Sequence, residues 1–379
     1  MNAAFVPFDL ERLLSTWENR VEYNLSESGV HPITTRELLE GAGADDLMDV
    51  ELNYPQANGL PLVRERIAAF YPGAGPENVL VTVGAAQANF AALIGLTEPG
   101  DAVAVLQPNY QQIPGLARNF GRKLSTFALR PQSGWQLDRG ELARAVTPAT
   151  KFVAIVNPNN PTGRILSDDE RRAIVDAAAA ADAWLLADEV YAGTEHEGEV
   201  VTPSFYGAYE RVLAVNSLSK AYGLPGLRIG WIVGPPEAIE RLWAWQDYIT
   251  IGTGMLDNRL AAIALTPSVR GRLLERARTH VRRGFTNVAQ WAAARDDVEV
   301  VPPQASAICF IKYRRRIRSS ELAMRLLKEQ STLVAPGDAF GMDGYLRISF
   351  GLSDAYVNEG LRRIGATLDT LAAHPAAVR

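Results

Sequence analysis

Cysteine is almost absent from this chain: one thiol, Cys309, in 379 residues. A single cysteine excludes a disulfide framework and fits a reducing compartment. It lies in the apolar run Ala307-Ile308-Cys309-Phe310-Ile311, where a buried, inert thiol is expected. Histidine is sparse too. His31, His196, His280 and His374 are scattered, no Cys/His cluster has metal-ligand spacing, and no metal is expected. Nor is there an excess of positive charge. Lys+Arg is 38 against Asp+Glu 43, a net charge of −5, which leaves nothing to attract nucleic acid or an anionic membrane. The basic spot Arg314-Arg315-Arg316 reads as a solvated turn ahead of a helix opening near Ser319. No apolar stretch approaches the ~20 residues that span a bilayer. The start, Met1-Asn2-Ala3-Ala4-Phe5-Val6-Pro7, lacks the basic and then apolar regions of a signal peptide. The expectation is a cytoplasmic protein with no nucleic-acid or membrane partner. Internal repeats and low-complexity tracts are also missing.

What is present is an ordinary globular composition, 47% hydrophobic and 21% charged, on a chain long enough for a large domain and a smaller one. From about residue 77, short apolar runs alternate with segments of helical period. Strands are expected at residues 79–83, 102–106, 123–128, 152–156, 183–187, 212–215 and 228–233. Helices are expected between several of them, at 85–96, 142–146 and 168–181. Ser167 with Glu170 forms a capping box for the last of these, and Asp168, Asp169 and Glu170 suit its dipole. Such alternation predicts a mostly parallel sheet covered on both faces. Beyond residue 235 the pattern changes to helices at 236–248, 268–293 and 354–371, with strands at 298–301, 307–312 and 345–350. An N-terminal helix at 9–19 is expected to pack beside this second, α+β unit. The expected division is 1–50 as an N-terminal segment lining the site, 51–260 as the large domain and 261–379 as the small one.

Ligands of open α/β sheets bind outside the carboxyl ends of the strands, and the distinctive residues fall there repeatedly. Gly84-Ala85-Ala86-Gln87 is a small-residue turn opening a helix, whose free N–H groups can cradle a phosphate; many α/β proteins carry such a turn with no ligand. In Gln107-Pro108-Asn109-Tyr110, the tyrosine can stack on a flat heterocycle or simply cap the core. Asn157-Pro158-Asn159-Asn160-Pro161-Thr162-Gly163 holds two prolines and three asparagines, more special residues than a generic turn needs. In Asp188-Glu189-Val190-Tyr191, a carboxylate at the end of a buried strand is costly unless it meets a cation; helix capping or an arginine partner is the plainer reading. In Ser217-Leu218-Ser219-Lys220-Ala221-Tyr222-Gly223-Leu224-Pro225-Gly226-Leu227-Arg228, a lysine follows an apolar run and an arginine comes eight residues later. That lysine can form a Schiff base with a carbonyl, and the arginine can hold a phosphate. Pyridoxal 5'-phosphate (PLP) offers both groups.

Together these segments resemble the class I/II aminotransferase family of fold type I PLP enzymes, over nearly the whole chain. The resemblance implies an α/β fold: a large domain with a mostly parallel central sheet covered by helices, and a smaller α+β domain built from both termini. It implies Lys220 as Schiff-base lysine and proton shuttle, and Asp188 on the pyridine nitrogen. Asn160 and Tyr191 would hold the phenolic oxygen, with Tyr110 stacked on the ring. Ala85, Ala86, Ser217 and Arg228 would hold the phosphate, with Gln87 and Ser219 also binding the cofactor. Tyr54 in Asn53-Tyr54-Pro55 matches a tyrosine that reaches the neighbouring subunit's phosphate, implying a homodimer with shared sites. Arg347, in Tyr345-Leu346-Arg347-Ile348-Ser349-Phe350-Gly351, matches the arginine that clamps the substrate α-carboxylate; a strand arginine pointing to solvent is the alternative.

The implied reaction is transamination of an α-amino acid, with Lys220 as general base. The cofactor motifs equally allow β- or γ-elimination, replacement or cyclisation. The segment Asn24-Leu25-Ser26-Glu27-Ser28-Gly29-Val30-His31-Pro32 departs from the usual aminotransferase strip and is similar to capreomycidine synthase-like enzymes, as is Gln246-Asp247-Tyr248-Ile249-Thr250. By that analogy Ser28, Gly29 and His31 face the substrate, with Asn160 also in reach, and Glu27 or another acid pairs with a guanidinium. Alternatively, His31 caps the helix that opens near Thr34. A non-catalytic ligand sensor ranks well below both enzymatic readings, because no DNA-binding helix accompanies the fold.

Overall fold

The computed structural model describes residues 5–40 and 45–372. Its first strand, β1 (Tyr23–Asn24), belongs with the C-terminal elements. The next eight form one sheet: β2 (Val79–Val83), β3 (Ala102–Gln107), β4 (Lys123–Arg130), β5 (Gln136–Leu137), β6 (Thr150–Val156), β7 (Trp184–Asp188), β8 (Val212–Ser217) and β9 (Ile229–Val233). Their order is β2-β9-β8-β7-β6-β3-β4-β5. The central pairs β8–β7, β7–β6, β6–β3 and β3–β4 are parallel, whereas β9 runs antiparallel to both neighbours and β5 to β4. The expected mostly parallel sheet is therefore present. Its central strands are buried on both faces, which is why Phe152-Val153-Ala154-Ile155-Val156 and Val212-Leu213-Ala214-Val215 read as unbroken apolar runs. Each large side chain so buried contributes roughly 1.5–3 kcal/mol.

Local sequence sets the helix ends. Ser167 Oγ accepts from Glu170 N at 3.3 Å and Glu170 Oε2 accepts from Ser167 N at 2.7 Å, the expected capping box. Helix Arg139–Ala145 is capped by Asp138, a little earlier than apolar spacing alone suggests. Helices Gln112–Asn119 and Met255–Ala264 were not expected; each begins beside a loop motif that masks its period.

A second sheet, all antiparallel, is built from β10 (Val298–Val300), β11 (Ile308–Tyr313), β13 (Ala335–Pro336) and β14 (Tyr345–Ser349) in the order β10-β11-β14-β13. The short β12 (Thr332–Leu333) pairs in parallel with β1, so the N-terminal segment joins the C-terminal half. Helix Asp9–Trp17 buries Leu10 and Leu14 in a cluster that includes Phe127 and Leu137 of the large sheet and Phe310, Leu333 and Phe340 of the C-terminal half. It thus lies across the junction rather than only beside the smaller unit.

Candidate active site

The functional side chains converge because the parallel strands end in register. Val156 pairs with Asp188 and Asp188 with Val215, and Asn157 N and Glu189 N extend the ladder to Asp188 O and Val215 O. Residues just past β6, β7 and β8 are therefore brought side by side.

One side of the site is an anion cradle. Helix Gly84–Leu96 starts directly after β2, with Gly84 at φ +71° and Ala85 and Ala86 in its first turn. A Cβ on Gly230 would lie 2.4 Å from the Gly84 carbonyl carbon, so the backbone there leaves room only for glycine, while at Gly84 the positive φ favours it. Arg228 was expected to start a strand. Instead it sits in the left-handed region at φ +48°, and β9 begins one residue later. That turn aims its guanidinium at Ser219 Oγ (3.3 Å) and Pro225 O (2.9 Å), at a cost of about 1 kcal/mol or more. Ser217 Oγ accepts from Ser219 N at 3.2 Å. Among the described residues Arg228 has no carboxylate partner. The Gln87 side chain turns back, accepting from Val83 N (2.6 Å) and donating to Thr250 Oγ1 (2.8 Å), which leaves its backbone N–H for the cradle.

Deeper in, Asp188 is buried, and desolvation raises its pKa against the opposing hydrogen bonds and the Lys220 charge. Its oxygens accept from Asn89 Nδ2 at 2.9 Å and Val190 N at 3.2 Å. No arginine or lysine of the described residues lies within ion-pair distance of it. Asn89 is not among the residues that the sequence motifs point to. A single buried asparagine in the apolar helix Gly84–Leu96, one turn after Ala85, was the available clue. Asn160 Nδ2 donates to Tyr191 Oη at 3.0 Å, and Tyr191 Oη donates to Ser28 Oγ at 3.0 Å. Arg347, only 2% exposed, donates to Asn160 Oδ1 (3.0 Å) and Ser26 O (2.6 Å), and its Nε has no partner. It is buried, not solvent-facing, and stands over the Phe340 ring at 5.3 Å.

Lys220 Nζ donates to Glu27 Oε1 at 2.7 Å. Burial pulls the ammonium pKa down, but the Glu27 charge and hydrogen bond together with Tyr191 outweigh it, and the net shift is upward. The same ammonium holds Glu27 at a pKa of about 2. Tyr110 Oη donates to Glu11 Oε1 at 2.7 Å, packs on Phe8, and is close enough to Tyr191 and Arg347 for their charges to act on it. Burial and the neighbouring charges of Glu27 and Glu11 raise the pKa of Glu18. Glu27 and Glu18 thus lie beside Lys220 with Glu11 next to Glu18, and Glu27, expected to meet a guanidinium, instead meets the lysine.

Two expected residues lie apart. Gly29 and Ser28 join the cluster, but His31 does not: its N donates to Gly351 O at 2.8 Å and its ring is exposed, near Glu37 and His280. Nor does it cap the following helix, because Thr34 and Glu37 form that capping box themselves. Tyr54 is 88% exposed and lies in a cleft of about 1070 Å³ with Leu62, Met255 and Arg259, away from Lys220.

The aminotransferase class I and II family model matches residues 37–364. The chain belongs to the class I and II aminotransferases. It is 33% identical over 354 residues to capreomycidine synthase of Streptomyces vinaceus, covering 92% of this chain and 90% of that protein. In structure it is similar to a PLP-dependent aminotransferase from Streptococcus suis, with a TM-score of 0.91, 30% identity and coverage of 98% and 99% of the two chains. The PLP-dependent cyclase OrfR matches with a TM-score of 0.88 and 29% identity, again over 98% and 99%. These class I and II enzymes are PLP-dependent, and the residues present here fit that cofactor. A buried carboxylate without a cation, an arginine without an anion over a glycine-lined helix start, and a largely buried lysine are the complements of its ring nitrogen, phosphate and aldehyde. No helix of the described residues is long and apolar enough to cross a membrane.

Proposed function

We propose that this aminotransferase acts on an α-amino acid whose carboxylate is clamped by Arg347 while Lys220 works at its Cα. The observation that carries this reading is Arg347 itself. It is a buried guanidinium with an unpartnered Nε and no carboxylate neighbour, and it shares Asn160 with Tyr191 beside Lys220. Bound PLP supplies an aldehyde that condenses with amines and a protonated ring that accepts electrons from the Cα bond. The rest falls to the chain. Asp188, costly to bury alone, would pair with the ring nitrogen and keep it protonated. Asn160 and Tyr191 would hold the phenolic oxygen, Tyr110 would cover the ring, and Ser217, Ser219, Arg228 and the amides of Ala85, Ala86 and Gln87 would hold the phosphate. Lys220, freed by the substrate amine, would take the Cα proton and return it.

A second reading, a lyase or cyclase acting on an arginine-like amino acid, is favoured by Glu11, Glu18 and Glu27. Glu27 and Glu18 lie near Lys220 and Glu11 lies beside Glu18, and among the described residues Lys220 is the only cation paired with any of them. Capreomycidine synthase and the OrfR cyclase among the relatives point the same way. One assay separates the two. Arginine-type amino acids are incubated with the enzyme with and without a 2-oxo acid. Consumption that requires the acceptor supports transamination, whereas side-chain loss or ring closure without it supports the second reading.

The division at residues 50 and 260, a cytoplasmic location and a homodimer belong to the same proposal. Exposed Met48, Leu52, Tyr54, Tyr248 and Ile251 support self-association.

A further inference from the structure

Lys220 and Glu27 lie 193 residues apart, yet several contacts tie the segment around Glu27 to the lysine. Glu27 Oε1, which receives Lys220 Nζ at 2.7 Å, also accepts from Ser28 N at 2.8 Å and Gly29 N at 3.0 Å, so this oxygen is fixed in direction. Val30 N donates to the Lys220 backbone carbonyl at 3.3 Å. A Cβ on Gly29 would stand 3.1 Å from Ser219 O and 3.5 Å from Lys220 Cα, so a bulkier residue would press the loop away. The other groups facing the ammonium are Tyr191, Arg347 and Asp188, and Glu18 faces both Lys220 and Glu27. None of them replaces Glu27. Asp188 is engaged by Asn89 and Val190 N, Arg347 repels a cation, and Glu18 makes no hydrogen bond or ion pair with Lys220, which Glu27 holds.

We propose that Glu27 is a positioning residue for Lys220, holding the lysine ammonium by a charge-assisted hydrogen bond whenever the amine is not bonded to the cofactor. Two moments need it: before the cofactor is loaded, and after the amine has taken the Cα proton. A lysine side chain with four free torsions loses little of its aim when one strong, directed acceptor meets it. The proton it carries then stays beside the carbon to which it returns. This builds on Lys220 as the reactive amine and is independent of whether transamination or elimination follows.

The test uses the cofactor-free full chain, in which Lys220 is one of five lysines and the other four are exposed. Amine-labelling rates of each lysine are followed against pH by peptide mass spectrometry. In the wild type, Lys220 is expected to become reactive at higher pH than the four surface lysines. In Glu27→Gln its labelling near neutral pH is expected to rise about tenfold, the others being unchanged, as a shift of one pH unit requires. The loaded variant is expected to lose about tenfold or more in kcat with KM little changed. Wild-type Lys220 titrating at or below the surface lysines would overturn the proposal without any variant. So would a Glu27→Gln protein with unmoved Lys220 reactivity and a raised KM for cationic amino acids alone, which would make Glu27 a substrate contact. An enzyme that proves to eliminate rather than transaminate would leave the labelling result intact.

Discussion

Glu189 adjoins Asp188 in sequence but is turned to the other side of the strand end, where Ser204 Oγ and Phe205 N donate to its Oε1 at 2.9 and 2.7 Å. Burial lifts its pKa to about 7 from the ordinary 4.5. The folded chain therefore binds a proton that the unfolded chain releases near 4.5. The stabilisation is full below that value and is lost as pH rises through about 7. Glu189→Gln keeps an acceptor for both donors, and in urea titrations of the cofactor-free protein it should gain stability over the wild type above pH of about 7, by up to about 3 kcal/mol. An unchanged difference across pH would count against the assignment. Arg347→Ala should raise KM about tenfold or more while the visible spectrum of the bound cofactor persists, because Arg347 lies apart from the phosphate cradle. Equal loss of cofactor would contradict that separation. At this scale the sequence was legible wherever chemistry marks a strand end: Asp188, Tyr191, Asn160 and Lys220 do meet. Asn89, Glu11 and Glu27 were not legible as partners, because their roles come from contacts across 99 to 193 residues that no local pattern encodes. His31 was misplaced because a loop sequence does not say which way its side chain leaves the backbone.

Among the elements, the junction of β2, β9 and helix Gly84–Leu96 is closely packed. Gly230 pairs with Thr82 and leaves no space for a side chain against the Gly84 turn. Gly230→Ala should cost about 1–3 kcal/mol of stability from overpacking and lower PLP affinity with it, read by thermal melts and cofactor titration. A variant with wild-type melting and affinity would show that the turn yields freely. Strand positions in the large sheet were readable from β-branched runs bounded by turn residues, and the Ser167 helix from its capping box. The two-residue strands β1, β5, β12 and β13 were not, since pairing so short reflects tertiary placement rather than local propensity. Arg228 illustrates the same limit: an apolar run beginning with arginine suggests a strand, and only the Ser219 contact explains the left-handed turn.

For the molecule as a whole, Tyr54 is the informative residue, because it is exposed and lines a cleft whose wall does not include its own Lys220. If it completes the partner's cradle, Tyr54→Phe should weaken cofactor binding about tenfold. Mixing that variant with Lys220→Ala should then restore one intact site per hybrid dimer. Sedimentation should give about twice the chain mass, and a monomer with full activity would contradict shared sites. The fold class was readable from element order alone, whereas the crossing of helix Asp9–Trp17 between the two halves was not, since an amphipathic helix does not name the surface it covers. All of this chemistry requires Lys220 to be the amine that carries the cofactor. Borohydride reduction of the loaded enzyme, followed by proteolysis and mass spectrometry, tests it most directly. The reduced cofactor should sit on the Lys220 peptide alone; label on any of the other four lysines, with Lys220 unmodified, would contradict it.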